Sequence, residues 1–277
     1  MRTKSEDLLI IEAGRTKGLY WRDLWRYREL FYFLAWRDIL VRYKQTTIGI
    51  AWSIIRPLLT MIVFTVIFGK FAKLPSKGVP YPILVYAAIL PWQFFANALT
   101  ESSNSLIENE KLITKVYFPR FIIPSSAVIV SMVDFLLSFI ILIFLMAGYK
   151  FIPCATIIFL PLFSFLAIAA SLGMGLWLSA LNVQYRDFRY IVPFIVQLGL
   201  YISPVGFSSA IIPGQWRLWY SFNPMVGVID GFRWAILGGE NTLYVSGLAV
   251  SCVTAVLLLI SGIWYFRKTE RTFADVI

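Results

Sequence analysis

Six long apolar stretches dominate this sequence between Ile48 and Phe266, and they constrain its fold more than any other feature. Each comes near the ~20 residues that an α-helix needs to cross a hydrocarbon core of ~30 Å at a rise of ~1.5 Å per residue. Only 14% of the residues are charged, against about 25% in an average soluble domain. We therefore expect an all-α integral membrane protein with one transmembrane domain. Its six predicted spans are 48–68, 82–99, 122–148, 155–181, 191–211 and 243–266.

Positive charges predict how these spans are oriented. Outside the spans, 18 Lys and Arg residues lie in the N-terminal segment, after spans two and four and in the tail, whereas 6 lie on the opposite side. Because cytoplasmic segments carry the excess of Lys and Arg, we expect both termini in the cytoplasm. The domains are then an N-terminal segment 1–47, a six-span domain 48–266 and a tail 267–277. The N-terminal segment has no apolar run of signal-peptide length, so no cleavable signal is expected.

Three segments outside the spans have helical patterns of their own. Tyr20–Val41 predicts either an amphipathic helix in the membrane interface or a soluble helix packed on a partner. The residues expected near one face of this helix are Trp21, Leu24, Trp25, Phe31, Tyr32, Ala35 and Ile39. The loop 101–120 can form a short helix along the membrane surface, although a solvated connector fits it as well. The segment 213–239 is too polar and too interrupted to span. Its Pro and Gly residues predict a hairpin of two short helices that re-enters the outer leaflet.

Two stripes at helical spacing lie along the first and fifth predicted spans, and the first recurs every four residues. The first span carries Trp52, Arg56, Thr60, Phe64 and Phe68. An Arg within a span costs about 2.5–3.5 kcal/mol at the bilayer centre, so Arg56 either snorkels to the headgroups or faces a path for an anionic, phosphate-bearing substrate. The fifth span carries a second stripe: Tyr190, Phe194, Gln197 and Tyr201. Aromatic faces and polar groups in such a row suit a sliding sugar chain, and they equally suit helix packing.

The sequence argues against most enzyme classes. It has no His, and its two cysteines, Cys154 and Cys252, have no metal-ligand companion, so no metal site is expected. No phosphate-binding loop is present, so this chain is not expected to bind ATP in that way. The net charge of +10 is explained by membrane retention and does not call for a nucleic-acid partner.

Two alternatives to a passive membrane subunit remain open. An ion-coupled secondary transporter would use Asp134, the one carboxylate well inside an apolar stretch, although a structural ion is the simpler interpretation. A membrane glycosyltransferase or ligase would use Asp230 or Glu240 near the outer interface.

Several short segments together resemble the membrane subunit of polysaccharide ABC exporters, the permeases that export O-antigen, capsule and teichoic acid. Their order and spacing cover nearly the whole chain. The matching segments are WRDI at 36–39, RYK at 42–44, TIGIAW at 47–52, RP at 56–57, YFPR at 117–120, FNPM at 222–225 and DGFRW at 230–234.

The resemblance implies a transport subunit and not an enzyme. It implies a homodimer in the bacterial inner membrane, bound to two cytoplasmic ATPase subunits that hold the ATP and Mg²⁺, so this chain itself needs no cofactor. A lipid pyrophosphate-linked glycan would pass between the two protomers. O-antigen is the first candidate for this glycan, and capsule polysaccharide and teichoic acid are the alternatives. Arg56 would meet the pyrophosphate and the two stripes would line the channel.

The resemblance also assigns roles to the segments outside the spans. Tyr20–Val41 is similar to the interface helix of such permeases, and the loop 101–120 to the coupling helix that docks into the ATPase. The expected coupling residues are Glu108, Glu110, Lys111, Ile113 and Tyr117. The hairpin 213–239 is similar to the re-entrant helices that close the exit. The expected outer gate residues are Trp216, Trp219, Tyr220, Phe222, Asn223, Pro224, Asp230 and Arg233.

Overall fold

The computed structural model describes residues 20–44, 47–76, 78–238 and 243–273, and within these ranges all regular structure is helical. Parts of the predicted N-terminal segment 1–47 and of the tail 267–277, the last residue of the hairpin 213–239, and Glu240 lie outside the described residues. The α-helices, in chain order, are α1 Tyr20–Arg26, α2 Arg28–Lys44, α3 Thr47–Phe64, α4 Tyr81–Glu108, α5 Glu110–Lys115, α6 Ile122–Gly148, α7 Leu160–Gln184, α8 Phe188–Ile202, α9 Gly214–Tyr220, α10 Pro224–Leu237 and α11 Val245–Thr269.

Five helices of the described chain are long and apolar enough to cross a membrane, and α8 is a shorter apolar helix. The all-α membrane fold predicted from the sequence is thereby confirmed. The bounds of α6 coincide with the predicted third span, 122–148. The first span continues from α3 into a π-helical segment, Thr65–Phe71, and the fourth begins with a 3₁₀ turn, Ala155–Phe159, before α7.

The fifth span is shorter than predicted. We expected 191–211, but α8 ends at Ile202, because Ser203 is extended (φ −76°, ψ 153°) and is followed by Pro204. A proline disfavours the helical conformation of the residue before it and has no N–H to continue the helix. The apolar composition continues past this point, which is why hydropathy alone missed the break.

The loop 101–120 is also shorter than predicted, because α4 continues through its first eight residues to Glu108. Ser103 and Ser105 donate their hydroxyls to the carbonyls of Thr100 and Ser102 in the preceding turn. A serine bonded in this way can be buried inside a helix bundle without an unsatisfied group. Asn109 then separates α4 from the short helix α5.

The N-terminal helix is interrupted at Tyr27, so Tyr20–Val41 forms α1 and most of α2. Leu34 and Ala35 are buried, while Trp25 and Tyr32, which we placed on one face with Ala35, are 71% and 68% exposed. The predicted single apolar face is therefore divided between a packed side and an open aromatic side. The side chain of Trp21 lies outside the described residues.

α4 lies at the centre of the bundle, packed against α6, α7 and α10. α7 also packs closely on α11, where Gly173 and Gly262 face each other: a Cβ built on Gly262 would lie 2.3 Å from the Gly173 carbonyl oxygen. Small residues permit such close helix approach in membranes. Gly175 of α7 packs closely on α4, since a Cβ on Gly175 would lie 2.6 Å from the Ser102 hydroxyl.

A second, smaller core lies at the end of the bundle that carries α2 and α5, which we name the α5 end. Its buried side chains include Leu34 of α2, Ile113 of α5, Phe266 near the end of α11 and Phe273 after α11. Burial raises the pKa of the Tyr20 phenol in α1 well above its ordinary value, so this group stays neutral. α1, α2, α5 and the chain after α11 thus pack together as one unit.

Candidate functional site

The stripe predicted on the first span does not stay on one surface. Trp52 is 58% exposed and Arg56 is exposed, whereas Phe64 is buried in the core and Phe68 packs against Gly206. Thr60, between them, donates its hydroxyl to the Arg56 carbonyl. Since an α-helix has 3.6 residues per turn, residues four apart shift by about 40° each time, and the stripe winds about 120° around α3 from Trp52 to Phe64. Trp52 and Arg56, at the start of the stripe, border open space.

That open space is a cavity of about 280 Å³ between α3, α4 and α6, which we name the inner cavity. Trp52 and Arg56 contribute one wall, and polar side chains of α4 contribute another. These α4 side chains are Gln93, Asn97 and Glu101, one helical turn apart from each other. Sequence reasoning missed them, although their four-residue spacing, which runs through the second predicted span and just past its end, was a detectable signal.

An ion cluster at the edge of the inner cavity includes Asp134, the carboxylate of the third predicted span. Arg42 of α2 contacts Glu101 (Nη2–Oε1, 2.6 Å) and Asp134 (Nη1–Oδ2, 2.7 Å), and the Tyr43 hydroxyl donates to the other oxygen of Asp134. We name these residues the Arg42 cluster. The Asp134 side chain is only 10% exposed. A cation and a hydroxyl that hold a buried carboxylate in this way favour the structural interpretation of Asp134 over a transport role.

A second cavity, of about 540 Å³, lies between α2 and the ends of α4 and α6. Its wall includes Arg37, which donates to the Asn109 side chain at 2.9 Å, and Glu108. Arg42 and Glu101 line both cavities, so their ion pair separates the two spaces. The sequence showed no relation between α2 and the span interior, because that contact depends on how the chain folds back.

The predicted coupling residues divide into three groups. Ile113 is buried and anchors α5 in the second core. Glu110, Lys111 and Tyr117 are exposed at the α5 end, where a partner can reach them. Glu108 is the last residue of α4 and lines the larger cavity beside α2. α5 thus offers a charged outer surface on an apolar anchor.

The stripe on α8 is open along its whole length. Tyr190, Phe194 and Tyr201 are 79%, 63% and 63% exposed, and Gln197 between them is exposed too. The opposite side of α8 packs tightly on α4, since a Cβ on Gly199 would lie 2.7 Å from the Trp92 ring. The aromatic side of α8 is therefore left unfilled by the described part of the chain.

The outer gate residues fall into an exposed aromatic set and a set that is buried or partly buried. Trp216, Trp219 and Phe222 are 60%, 67% and 54% exposed around α9. Tyr220 donates to the Ile202 carbonyl, at the end of α8. Asn223 caps α10 by accepting from the Met225 N–H and donates to Ser203, and Pro224 occupies the first turn of α10.

Of the two charged residues in the predicted outer gate, Arg233 is buried and Asp230 is partly buried. Arg233 is 4% exposed and donates to the carbonyls of Leu84, Val205 and Phe207. Asp230 accepts a hydrogen bond from Ser209 in the same segment. Because the break after Ile202 frees backbone carbonyls inside the bundle, a buried guanidinium satisfies them. α10 is a core helix of the bundle, and its two charges support the irregular segment after α8.

Comparison with known proteins places this architecture in a family. Residues 29–237 match the model of the ABC-2 type transporter family. The O-antigen export system permease protein RfbA of Klebsiella pneumoniae is 28% identical over 251 residues, covering 90% of this chain and 95% of the relative. RfbA of Myxococcus xanthus is 26% identical, covering 92% and 98%. The polysialic acid transport protein KpsM of Escherichia coli is 21% identical, covering 85% and 91%.

Proposed function

Because the chain belongs to the ABC-2 type transporter family, as a multi-pass membrane subunit of an ABC exporter, we propose that it exports a lipid pyrophosphate-linked O-antigen polysaccharide. Two copies form the conduit in the bacterial inner membrane, with both termini in the cytoplasm. Two separate ATPase subunits bind ATP and Mg²⁺ and supply the energy. This chain provides the path and the surface through which the energy arrives.

The observation that carries the proposal is the open aromatic stripe of α8. A transport protein that moves a long glycan needs a surface that binds many sugars weakly and in succession. Tyr190, Phe194 and Tyr201 offer faces to the C–H sides of sugar rings, and Gln197 offers a hydrogen-bond donor and acceptor. The end-to-end similarity to O-antigen export permeases supports the same substrate class.

In the proposed transport, the substrate enters at the inner cavity and the ATPase docks on α5. Arg56, exposed at the wall of the inner cavity, is the cation that meets the pyrophosphate of the entering lipid. The exposed side of α5, with Glu110 and Lys111, docks into the ATPase, and its buried Ile113 transmits the movement to the second core. The exposed aromatics of α9 lie at the exit.

Coexpression with the ATPase of the same gene cluster tests the pairing. We expect a stable complex in detergent and ATP hydrolysis that is lost when the phosphate-loop lysine of the ATPase is replaced. The permease alone should hydrolyse no ATP. Failure to copurify with any ATPase from the source organism would contradict the proposed assembly.

Deletion of the gene tests the substrate. We expect cells without the permease to lose long-chain O-antigen from their surface while capsule is unchanged, and lipid-linked glycan to accumulate inside. Similarity to KpsM makes a capsule polysaccharide the second candidate. Loss of capsule with intact O-antigen would support that candidate against the first.

A further inference from the structure

The wall of the inner cavity carries an amide pair that the proposed path for the pyrophosphate does not use. Gln93 donates through Nε2 to Oδ1 of Asn97, one turn along α4, at 3.0 Å. Both residues are half-buried and line the cavity. Within the described residues neither side chain makes a second hydrogen bond, which leaves the Gln93 oxygen as an acceptor and the second Gln93 N–H and both Asn97 N–H groups as donors. Exchanging oxygen and nitrogen in both amides again leaves free donors beside a free acceptor.

Free donors beside a free acceptor suit a ligand that both donates and accepts. A hydroxyl group does both, so two neighbouring sugar hydroxyls can use an Asn97 N–H and the Gln93 oxygen together. A phosphate oxygen only accepts, so it can bond the N–H groups but leaves the Gln93 oxygen without a hydrogen bond. A sugar therefore uses the hydrogen-bonding groups of the amide pair more completely than a phosphate does.

The charges around the cavity lead to the same conclusion. Arg42 is held by both Glu101 and Asp134, so these two carboxylates already take up its positive charge. Arg56 has no carboxylate within salt-bridge distance among the residues that the structure describes, and it remains available to an anion. Charge thus places an anionic group at Arg56 and a neutral group beside the amide pair.

Size and the aromatic wall complete the site. A volume of about 280 Å³ lies at the lower end of small-molecule sites, which span ~300–1,000 Å³, so it holds a group the size of a sugar ring and not a polymer. Trp52, 58% exposed on the same wall as Arg56, offers an indole face to one side of such a ring.

We propose that the inner cavity is a binding site for the sugar next to the pyrophosphate of the lipid-linked glycan. Gln93 and Asn97 bond two of its hydroxyls, Trp52 packs on its ring, and Arg56 holds the pyrophosphate. This inference rests on the proposed function and deepens it. The permease would then recognise its cargo by the first sugar before the chain enters the channel.

Two lipid probes separate sugar from pyrophosphate: a polyprenyl diphosphate, and the same lipid carrying one hexose. Their dissociation constants are measured on the full permease–ATPase complex in nanodiscs. Each hydrogen bond to a neutral sugar hydroxyl contributes about two- to tenfold in affinity. We expect the wild-type complex to bind the hexose lipid about tenfold more tightly than the bare diphosphate.

Variants in the amide pair decide the matter. Asn97→Leu and, independently, Gln93→Met should remove this preference and leave the affinity for the bare diphosphate lipid unchanged. Arg56→Gln should weaken both lipids, and Gln215→Met, on the exposed side of α9, is the matched control that should change neither. If one amide variant fails to assemble, the other decides.

The possible failures are distinguishable. A wild-type complex that binds both lipids equally, or amide variants that keep the preference or weaken both lipids by one factor, would overturn the sugar site and leave the proposed function intact. A wild-type complex that binds neither lipid would overturn the proposed substrate and the sugar site together.

Discussion

Replacing Asp134 separates a structural ion from a transport proton site. In Asp134→Asn, Arg42 loses one of its two carboxylates but keeps Glu101 at 2.6 Å. Removing one partner of a fully buried ion pair costs about 3–5 kcal/mol. The Arg42 side chain is 28% exposed and retains its second partner, so we expect a loss of about 2 kcal/mol in stability. Export should fall only as far as the amount of assembled complex falls.

The double variant Arg42→Met with Asp134→Leu is the decisive partner to this experiment. It removes both buried charges, fills their space with apolar groups and leaves Glu101, 41% exposed, to be solvated by the cavities. Replacing a buried pair by apolar residues of similar size is often neutral or stabilising. We therefore expect the double variant to regain the thermal stability that Asp134→Asn loses.

The assay is thermal unfolding of the permease–ATPase complex in nanodiscs, combined with glycan export per assembled complex in proteoliposomes. A structural Arg42 cluster gives a double variant with wild-type stability and more than half of wild-type export. A double variant that is fully assembled and hydrolyses ATP but exports nothing would refute this reasoning. That result would indicate that Asp134 takes part in transport itself.

Four further variants test the other parts of the path. Glu110→Lys should uncouple ATP hydrolysis from export without lowering thermal stability, and unchanged export would remove Glu110 from the dock. Phe194→Ala with Tyr201→Ala should slow export severalfold at unchanged stability, because both side chains are more than 60% exposed; normal export would leave them as packing residues. Arg233→Met should cost about 3 kcal/mol or more, since it leaves the carbonyls of Val205 and Phe207 in the irregular segment without this donor, and a stable variant would contradict its support of the break after α8. Gly262→Val should lower stability by about 1–3 kcal/mol through the contact with α7, to be measured by the same unfolding assay.

The sequence predicted features that depend on composition and local periodicity. The bounds of α6 follow directly from an uninterrupted apolar run. The short helices α9 and α10 follow from Pro and Gly placement. The stripe on α8 keeps one exposed side because its residues are spaced four, three and four apart, which keeps them within about 60° of each other around the helix.

Features that depend on how the chain folds back could not be predicted in this way. Arg42 and Asp134 are 92 positions apart and meet only because α2 packs on α6. Arg233 looked like a gate residue from its position in the hairpin, but tertiary packing buries α10 beside α4. The break after Ile202 was masked by the apolar residues that follow it.

The most direct test is a transport measurement in proteoliposomes that contain the permease, its cognate ATPase and a fluorescent lipid pyrophosphate-linked O-antigen on the ATPase side. We expect glycan to reach the lumen only with hydrolysable ATP and a catalytically intact ATPase, and an imposed proton or sodium gradient to have no effect. Glycan movement driven by the ion gradient alone, or none with ATP in a fully assembled complex, would contradict the proposal that this chain is the membrane path of an ATP-driven glycan exporter.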